Sequence, residues 1–397
     1  MEKVVYFLLI GLYTLLPLLG LFIGSLLKEK FSFDFSELIT ANIIHICILL
    51  VGLLTAFKVV KNRRYGWRGF EIDIKKTHRV LLRTRNVLFL MIVISFSFSG
   101  WQILAGISRG IIRANLGAFG WLDTFISSYG TPGMCSLAVV YYYFFSSRDQ
   151  RDRNLFWQII FFTLLLAIMK GGKSGIVITF FAPLLQYASL LKKNQLILLG
   201  ILGSLSIIGV GMREMDMSFN QAFNYNIYRA TSLSTFGTMC VWDLYPNGAE
   251  NAYLTLWGSF GTHLTSFLTG VDSHTVEFLD YSFDRKITYL YYGDAEGALA
   301  GTVNLTVTSF GEMVFWLGRK YFFIFSSLIA VFLYYLTIKV FQTRTYRTIK
   351  TNILFTVYFS TVFIGWLNSA SISMLFGGTT LFYLLLLNIM LRCVVVK

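Results

Sequence analysis

The sequence predicts an all-α, polytopic integral membrane protein, and three observations carry that class. Of 397 residues, 55% are hydrophobic and only 14% are charged, where a soluble globular chain carries about 25% charged residues; the mean hydropathy is +0.64. Apolar runs of about 20 residues, long enough to cross a hydrocarbon core of about 30 Å, recur along the whole chain. Those runs are unbroken rather than alternating, which excludes an outer-membrane barrel. With 4 prolines and 33 glycines the chain is neither collagenous nor disordered, and it shows no internal repeat. A soluble enzyme and a single anchored ectodomain are both excluded.

Taken in order, the apolar runs predict about 10 transmembrane helices, at roughly 4–27, 37–57, 87–106, 125–146, 155–169, 176–191, 195–211, 321–338, 351–367 and 376–391. The first, Val4 to Leu27, is too long for a signal peptide and has no small-residue cleavage site before Lys28. An even number of spans puts both termini on one side. With the termini in the cytoplasm, the cytoplasmic connections hold 22 of the 34 Lys and Arg residues, ten of them between Lys58 and Arg85, as the positive-inside rule requires. The expected organisation is therefore a first bundle of seven spans over 1–211, a large, mostly helical outer loop over 212–320 with amphipathic helices, and three last spans over 321–397.

This topology also disposes of the net charge of +14. The outer loop holds 11 acidic and 6 basic residues, so the basic excess lies at the cytoplasmic leaflet, where it anchors lipid headgroups rather than nucleic acid. Reading 252–271 as an eleventh span would move the Arg344 to Arg347 connection outside, against the charge rule; an amphipathic or re-entrant helix at the outer surface fits better. Cys47, Cys135, Cys240 and Cys393 have no metal-ligand spacing, so neither a disulfide framework nor a metal site is expected.

Three places hold polar groups that the membrane alone does not explain. The first is the turn Met169-Lys-Gly-Gly-Lys-Ser-Gly175 between spans five and six. Its Gly-Lys-Ser is not a nucleotide loop, because Ala167 stands where the pattern needs glycine and a membrane helix precedes it where a strand is required. Backbone N–H groups opening a helix beside Lys173 would attract a phosphate; the plainer reading is a turn with two snorkelling lysines. The second place follows span seven and supplies Arg213 and Arg229, whose guanidinium forks suit a diphosphate. Arg213 has Glu214 and Asp216 beside it as surface partners, whereas Arg229 sits among Asn224, Tyr225, Asn226 and Thr231 with no neighbouring acid. The third place runs from Ala252 to Lys320: Trp257, Phe260 and Phe267 alternate with Thr262, His263 and Thr265, followed by Asp272, His274, Glu277, Asp280 and Asp284 and then a glycine- and threonine-rich stretch.

In that stretch, Asn304-x-Thr306-x-Thr308-x-Phe310-Gly311-Glu312, with Gly318 before the next span, resembles the asparagine-threonine segment and the acidic residue plus glycine of the bacterial O-antigen polymerase family, the Wzy-type oligosaccharide repeat-unit polymerases. The turn at Gly171 to Gly175 resembles that family's glycine-serine-arginine turn, with Lys173 in place of arginine, and Tyr228-Arg229 resembles its tyrosine-arginine pair. The resemblance spans about 155–320, and Glu312 stands where aspartate is usual.

The resemblance implies glycan polymerisation at the periplasmic face of the bacterial inner membrane. The growing glycan would move from undecaprenyl diphosphate to the non-reducing end of the next lipid-linked repeat unit, without a cofactor. Its partners would be the undecaprenyl-diphosphate-linked oligosaccharide, membrane lipids and a chain-length regulator protein. On this reading Arg229, Arg213 and Lys173 bind the diphosphate, and Asn304, Thr306 and Trp257 bind the glycan. Glu296 is the preferred base for the acceptor hydroxyl, with His263 and Glu312 behind it. His45, inside span two, is expected to hydrogen-bond a neighbouring helix. The alternatives are an O-antigen ligase, which shares the plan and donor, and a polysaccharide flippase or other transporter. A transporter would place ionisable groups near mid-membrane, where this chain has almost none apart from His45. A membrane acyltransferase would pair such a histidine with chemistry deep in the bilayer, and the acid in its span, Glu37, lies at the outer edge.

Overall fold

The computed structural model describes residues 1–24, 31, 33–63, 67, 74–104, 116, 119–170, 175–215, 217–228, 231, 234–291, 295–300, 306–368 and 372–395. Of the structure, 87% is helical, with no strand among the described residues. The chain is an all-α, multi-pass membrane protein. Its principal helices are α1 (Glu2–Gly24), α2 (Phe35–Arg63), α3 (Ile74–Ser95), α4 (Thr131–Val140), α5 (Gln150–Met169), α6 (Gly175–Tyr187), α7 (Lys193–Met215), α8 (Phe219–Tyr228), α9 (Ser234–Leu244), α10 (Thr262–Thr269), α11 (Phe283–Tyr291), α12 (Ala295–Ala300), α13 (Ser309–Gln342), α14 (Ile349–Val357) and α15 (Gly378–Val394).

Six helical stretches among the described residues are long and apolar enough to cross a bilayer: Glu2–Phe22, Phe35–Asn62, Lys75–Gly100, Gln150–Met169, Ser309–Gln342 and Met374–Val394. The remaining expected spans fall on shorter apolar pieces, Ile178–Tyr187 and Lys193–Gly209, and on two helical stretches over 120–145 and 349–368, each broken by π-helical turns. Length and hydropathy thus give six candidate spans among the described residues, and the count of ten rests on the sequence pattern. The stretch 252–271 holds two short helices, Ala252–Phe260 and α10, neither long enough to span.

α3 begins well before the expected span at 87. The basic connection is helical from Ile74 because Thr77, Val80, Leu81, Thr84 and Leu88 form a buried stripe, while the intervening Lys and Arg side chains lie on the other faces and reach outward.

Side-chain pairs fix the directions of the helices. At one end Glu2 meets Arg344, His78 meets Asp152, Gln186 meets Asn352, and Arg83 meets the Cys393 carbonyl. At the other end Thr235 donates to the Pro17 carbonyl and Ser99 to Asp123. Residues near both chain termini therefore share one end, called here the terminal end. α2 and α13 run side by side in the same direction: Gly52 lies so close to α13 that a Cβ there would approach the Ala330 carbonyl to 2.6 Å.

The feature that positions the site is a hinge in α13. A straight helix would separate Ser309 from Ser326 by about 25 Å, yet the His45 imidazole touches both, at 2.8 Å (Nδ1 to Ser326) and 3.2 Å (Nε2 to Ser309). Phe310 likewise packs edge-on against Phe322, ring centroids 5.3 Å apart. The fold-back occurs at Gly318, with φ 73° and ψ 178°, a conformation for which glycine is the default. The bend costs the ladder bond from the Arg319 N–H to the Phe315 carbonyl, and both groups are paired elsewhere. The Arg319 N–H donates to the Pro246 carbonyl at 2.9 Å, and the Phe315 carbonyl accepts from the Ala249 N–H at 2.8 Å. A short arm, 309–317, thus doubles back on the long arm, 319–342. The long arm starts within two residues of the expected eighth span, and the short arm belongs to the stretch read as outer loop.

Candidate functional site

The short arm carries the most polar part of the resembling motif into the bundle. Thr308 caps it, its hydroxyl accepting from the Gly311 N–H, and Thr308 is tied to α9 by its hydroxyl contact with Thr238 at 2.8 Å. Thr306 is half-buried, with its carbonyl against Gly237 of α9. Glu312, only 2% exposed, accepts from the Trp366 indole N–H at 2.6 Å. A carboxylate in the first turn of a helix is favoured by the helix dipole. The Ser326 hydroxyl donates to the Phe322 carbonyl, so His45 Nδ1–H donates to Ser326 and Nε2 accepts from Ser309. As the sequence leads one to expect, His45 pins helices together.

Above the short arm, the 245–251 loop and α11 enclose an open cleft of about 280 Å³ lined by Tyr245, Gly248, Ala249, Glu250, Asn251, Asp280, Lys286 and Phe315. Its floor is a right-angled aromatic corner, Tyr245 and Phe315 with centroids 5.1 Å apart at 84°. Phe283 closes the corner from behind, 4.4 Å from Phe315. Lys286 is paired with Asp280 at 2.6 Å, and Arg319 is held on the Trp242 carbonyl at 2.6 and 2.8 Å, where it caps the last turn of α9.

Next to Phe283 stands Asp284, half-buried as a residue but with its Oδ1 sealed from solvent and without a hydrogen-bond partner among the described residues. Burial first, and the nearby Glu312 carboxyl second, push its pKa up to about 8. A carboxyl enclosed next to a like charge favours its proton, and a value near neutrality suits proton transfer.

The residues singled out from the sequence divide accordingly. Glu312 and Thr306 belong to the short arm. Trp257 lies on the 252–260 helix, 47% exposed and packed on Phe260, and its carbonyl accepts from the Thr265 hydroxyl. Glu296 is exposed on α12, and no hydrogen bond joins it to the arm among the described residues. His263 opens α10 and Arg213 lies in the last turn of α7, but their side chains fall outside the described residues, as do Lys173, Arg229 and Asn304 altogether.

Missed by the sequence reading were Asp284 as the enclosed acid, the Tyr245–Phe315 corner and Trp366. Asp284 was visible only as one acid among the four between Asp272 and Asp284. Its distinguishing signal, an aspartate following Phe283 on a short helix with buried Ile287 and Thr288 one turn on, is too local to find without the fold. Among the described residues no group of three or more His, Cys, Asp or Glu side chains is placed to hold a metal ion, and all four cysteines are free. The chain matches no protein-family model, no curated protein and no solved structure.

Proposed function

We propose that the protein polymerises lipid-linked oligosaccharide repeat units at the periplasmic face of the bacterial inner membrane, as a glycosyltransferase. The observation that supports this best is the enclosed Asp284 carboxyl, set beside an open cleft with an aromatic corner and hydroxyl-binding side chains, at the end of the bundle opposite the termini. In the proposed reaction the acceptor hydroxyl attacks the anomeric carbon of the donor glycan. A new C–O bond forms, the bond to the diphosphate breaks, and undecaprenyl diphosphate leaves with the electron pair. The hydroxyl proton passes to a carboxylate, which we take to be Asp284 through the oxygen that is not sealed, with Glu296, exposed on α12, as the alternative. Arg229, Arg213 and Lys173 remain the proposed holders of the diphosphate, since a leaving group already so stable needs charge compensation more than an acid. Asn304, Thr306 and Trp257 remain the proposed glycan contacts, and a chain-length regulator remains a proposed partner.

The test is the lipopolysaccharide or capsule profile of a deletion strain. The reading expects chains of a single repeat unit, restored to long polymer by the intact gene. No attached repeat unit at all would instead mark a ligase, and an unchanged ladder would refute both.

A further inference from the structure

We infer that the cleft receives the terminal sugar of the acceptor as an uncharged residue and discriminates against acidic sugars such as uronates. The inference rests on the polymerase reading for the identity of the acceptor, but its argument is the charge in the cleft. The one ammonium on the lining, that of Lys286, is held by Asp280 at 2.6 Å, so the two cancel. Glu250 is then left without a balancing cation on the lining. Behind the floor, Asp284 has a second acid, Glu312, near enough to raise its pKa. A carboxylate entering the cleft would meet the uncompensated Glu250 carboxylate at the rim and, on the lining, no free cation to receive it, and like-charge juxtaposition is a strong means of rejecting a wrong partner.

What the lining offers positively is suited to hydroxyls. Glu250 and Asp280 accept hydrogen bonds, Asn251 both donates and accepts, and the perpendicular Tyr245 and Phe315 rings give an apolar corner against which the C–H face of a pyranose can lie. The 246–249 backbone is bonded to both sides of the Gly318 hinge, so the lining is set on a fixed frame and not on a free loop.

The experiment is binding of the purified full-length protein, in lipid nanodiscs, to a glycan array bearing neutral oligosaccharides and their uronate-terminated counterparts. Neutral termini should bind at least about ten-fold better than acidic ones. Glu250→Gln, at an exposed position, should narrow that ratio, and Glu250→Gln combined with Asp280→Asn, which leaves Lys286 uncompensated, should abolish or invert it. Equal binding of neutral and acidic termini by the unaltered protein, a ratio indifferent to both variants, or no glycan bound at all would overturn the inference. Failure here is distinguishable from failure of the polymerase reading: polymer made from neutral and acidic repeat units alike sinks the discrimination alone. A preserved neutral preference with an unchanged ladder in the deletion strain sinks polymerisation and leaves the cleft.

Discussion

The two ends of the long arm of α13 treat buried charge in opposite ways. At the terminal end Arg344, 2% exposed, is paired with Glu2 of α1 through one guanidinium nitrogen and lies over the Phe341 ring, its Nε and Nη2 sealed without a hydrogen-bond partner among the described residues. At the hinge end two acids stand near one another: Glu312 bonded to an indole, and Asp284 with a sealed oxygen that has no partner among the described residues. Unlike charges compensate each other and clip two helices together. Neighbouring like charges cost stability, and a protein that keeps such an arrangement is usually using it. The terminal end reads as scaffold and the hinge end as the working region.

The most severe way to break this contrast is to remove the hinge. Gly318→Ala would place a methyl 2.6 Å from the Asn247 carbonyl carbon on a backbone with positive φ, and strain together with overpacking is worth about 4 kcal/mol. Thermal unfolding in detergent should show a large loss of stability and the cleft should no longer bind glycans. Next comes the clip. Glu2→Ala leaves the Arg344 guanidinium buried and uncompensated, a cost of about 3 kcal/mol, again read as a lowered Tm but with glycan binding kept.

The hinge-end acids should respond in the opposite sense. Asp284 binds its proton more tightly in the folded protein, pKa about 8, than at its ordinary value of 3.8. Its contribution to stability is therefore complete below pH 4 and is lost as the pH rises toward 8. A Tm profile over that window should decline in the unaltered protein and flatten in Asp284→Asn, which should be at least as stable at pH 8. The smallest effect belongs to the rim: Asp280→Asn removes a partly exposed ion pair and should change stability by less than about 1 kcal/mol, while altering which glycans bind.

How much of this was legible in the sequence depends on the range of the interaction. Composition and apolar runs gave the class, because a membrane helix is a local pattern about 20 residues long. The position of the eighth span was readable to within two residues at Arg319, and Gly318 was noted as the glycine before that span. What Gly318 does was not: a glycine can end a helix or fold it back, and the choice depends on the 246–249 backbone some 70 residues earlier accepting and donating the two freed hydrogen bonds. Glu312 was identified from its motif, yet its partner Trp366 lies 54 residues away. The start of α3 was misplaced because lysines and arginines masked a buried stripe of apolar and threonine side chains with helical spacing. Asp284 shows the same limit, since enclosure of one oxygen is a property of the assembled fold and leaves no trace in spacing.

The central claim is that the hinge end performs glycan transfer, with Asp284 taking the acceptor's proton. Its most direct test is polymer length made by purified protein in lipid from a lipid-linked repeat unit, comparing the unaltered chain with Asp284→Asn at pH 8 and equal amounts of folded protein. The account expects the variant to leave the repeat unit largely unpolymerised, with a loss of about 100-fold or more in rate, as general-base catalysis contributes 10²–10⁴-fold. Long polymer from Asp284→Asn at the unaltered rate would contradict it.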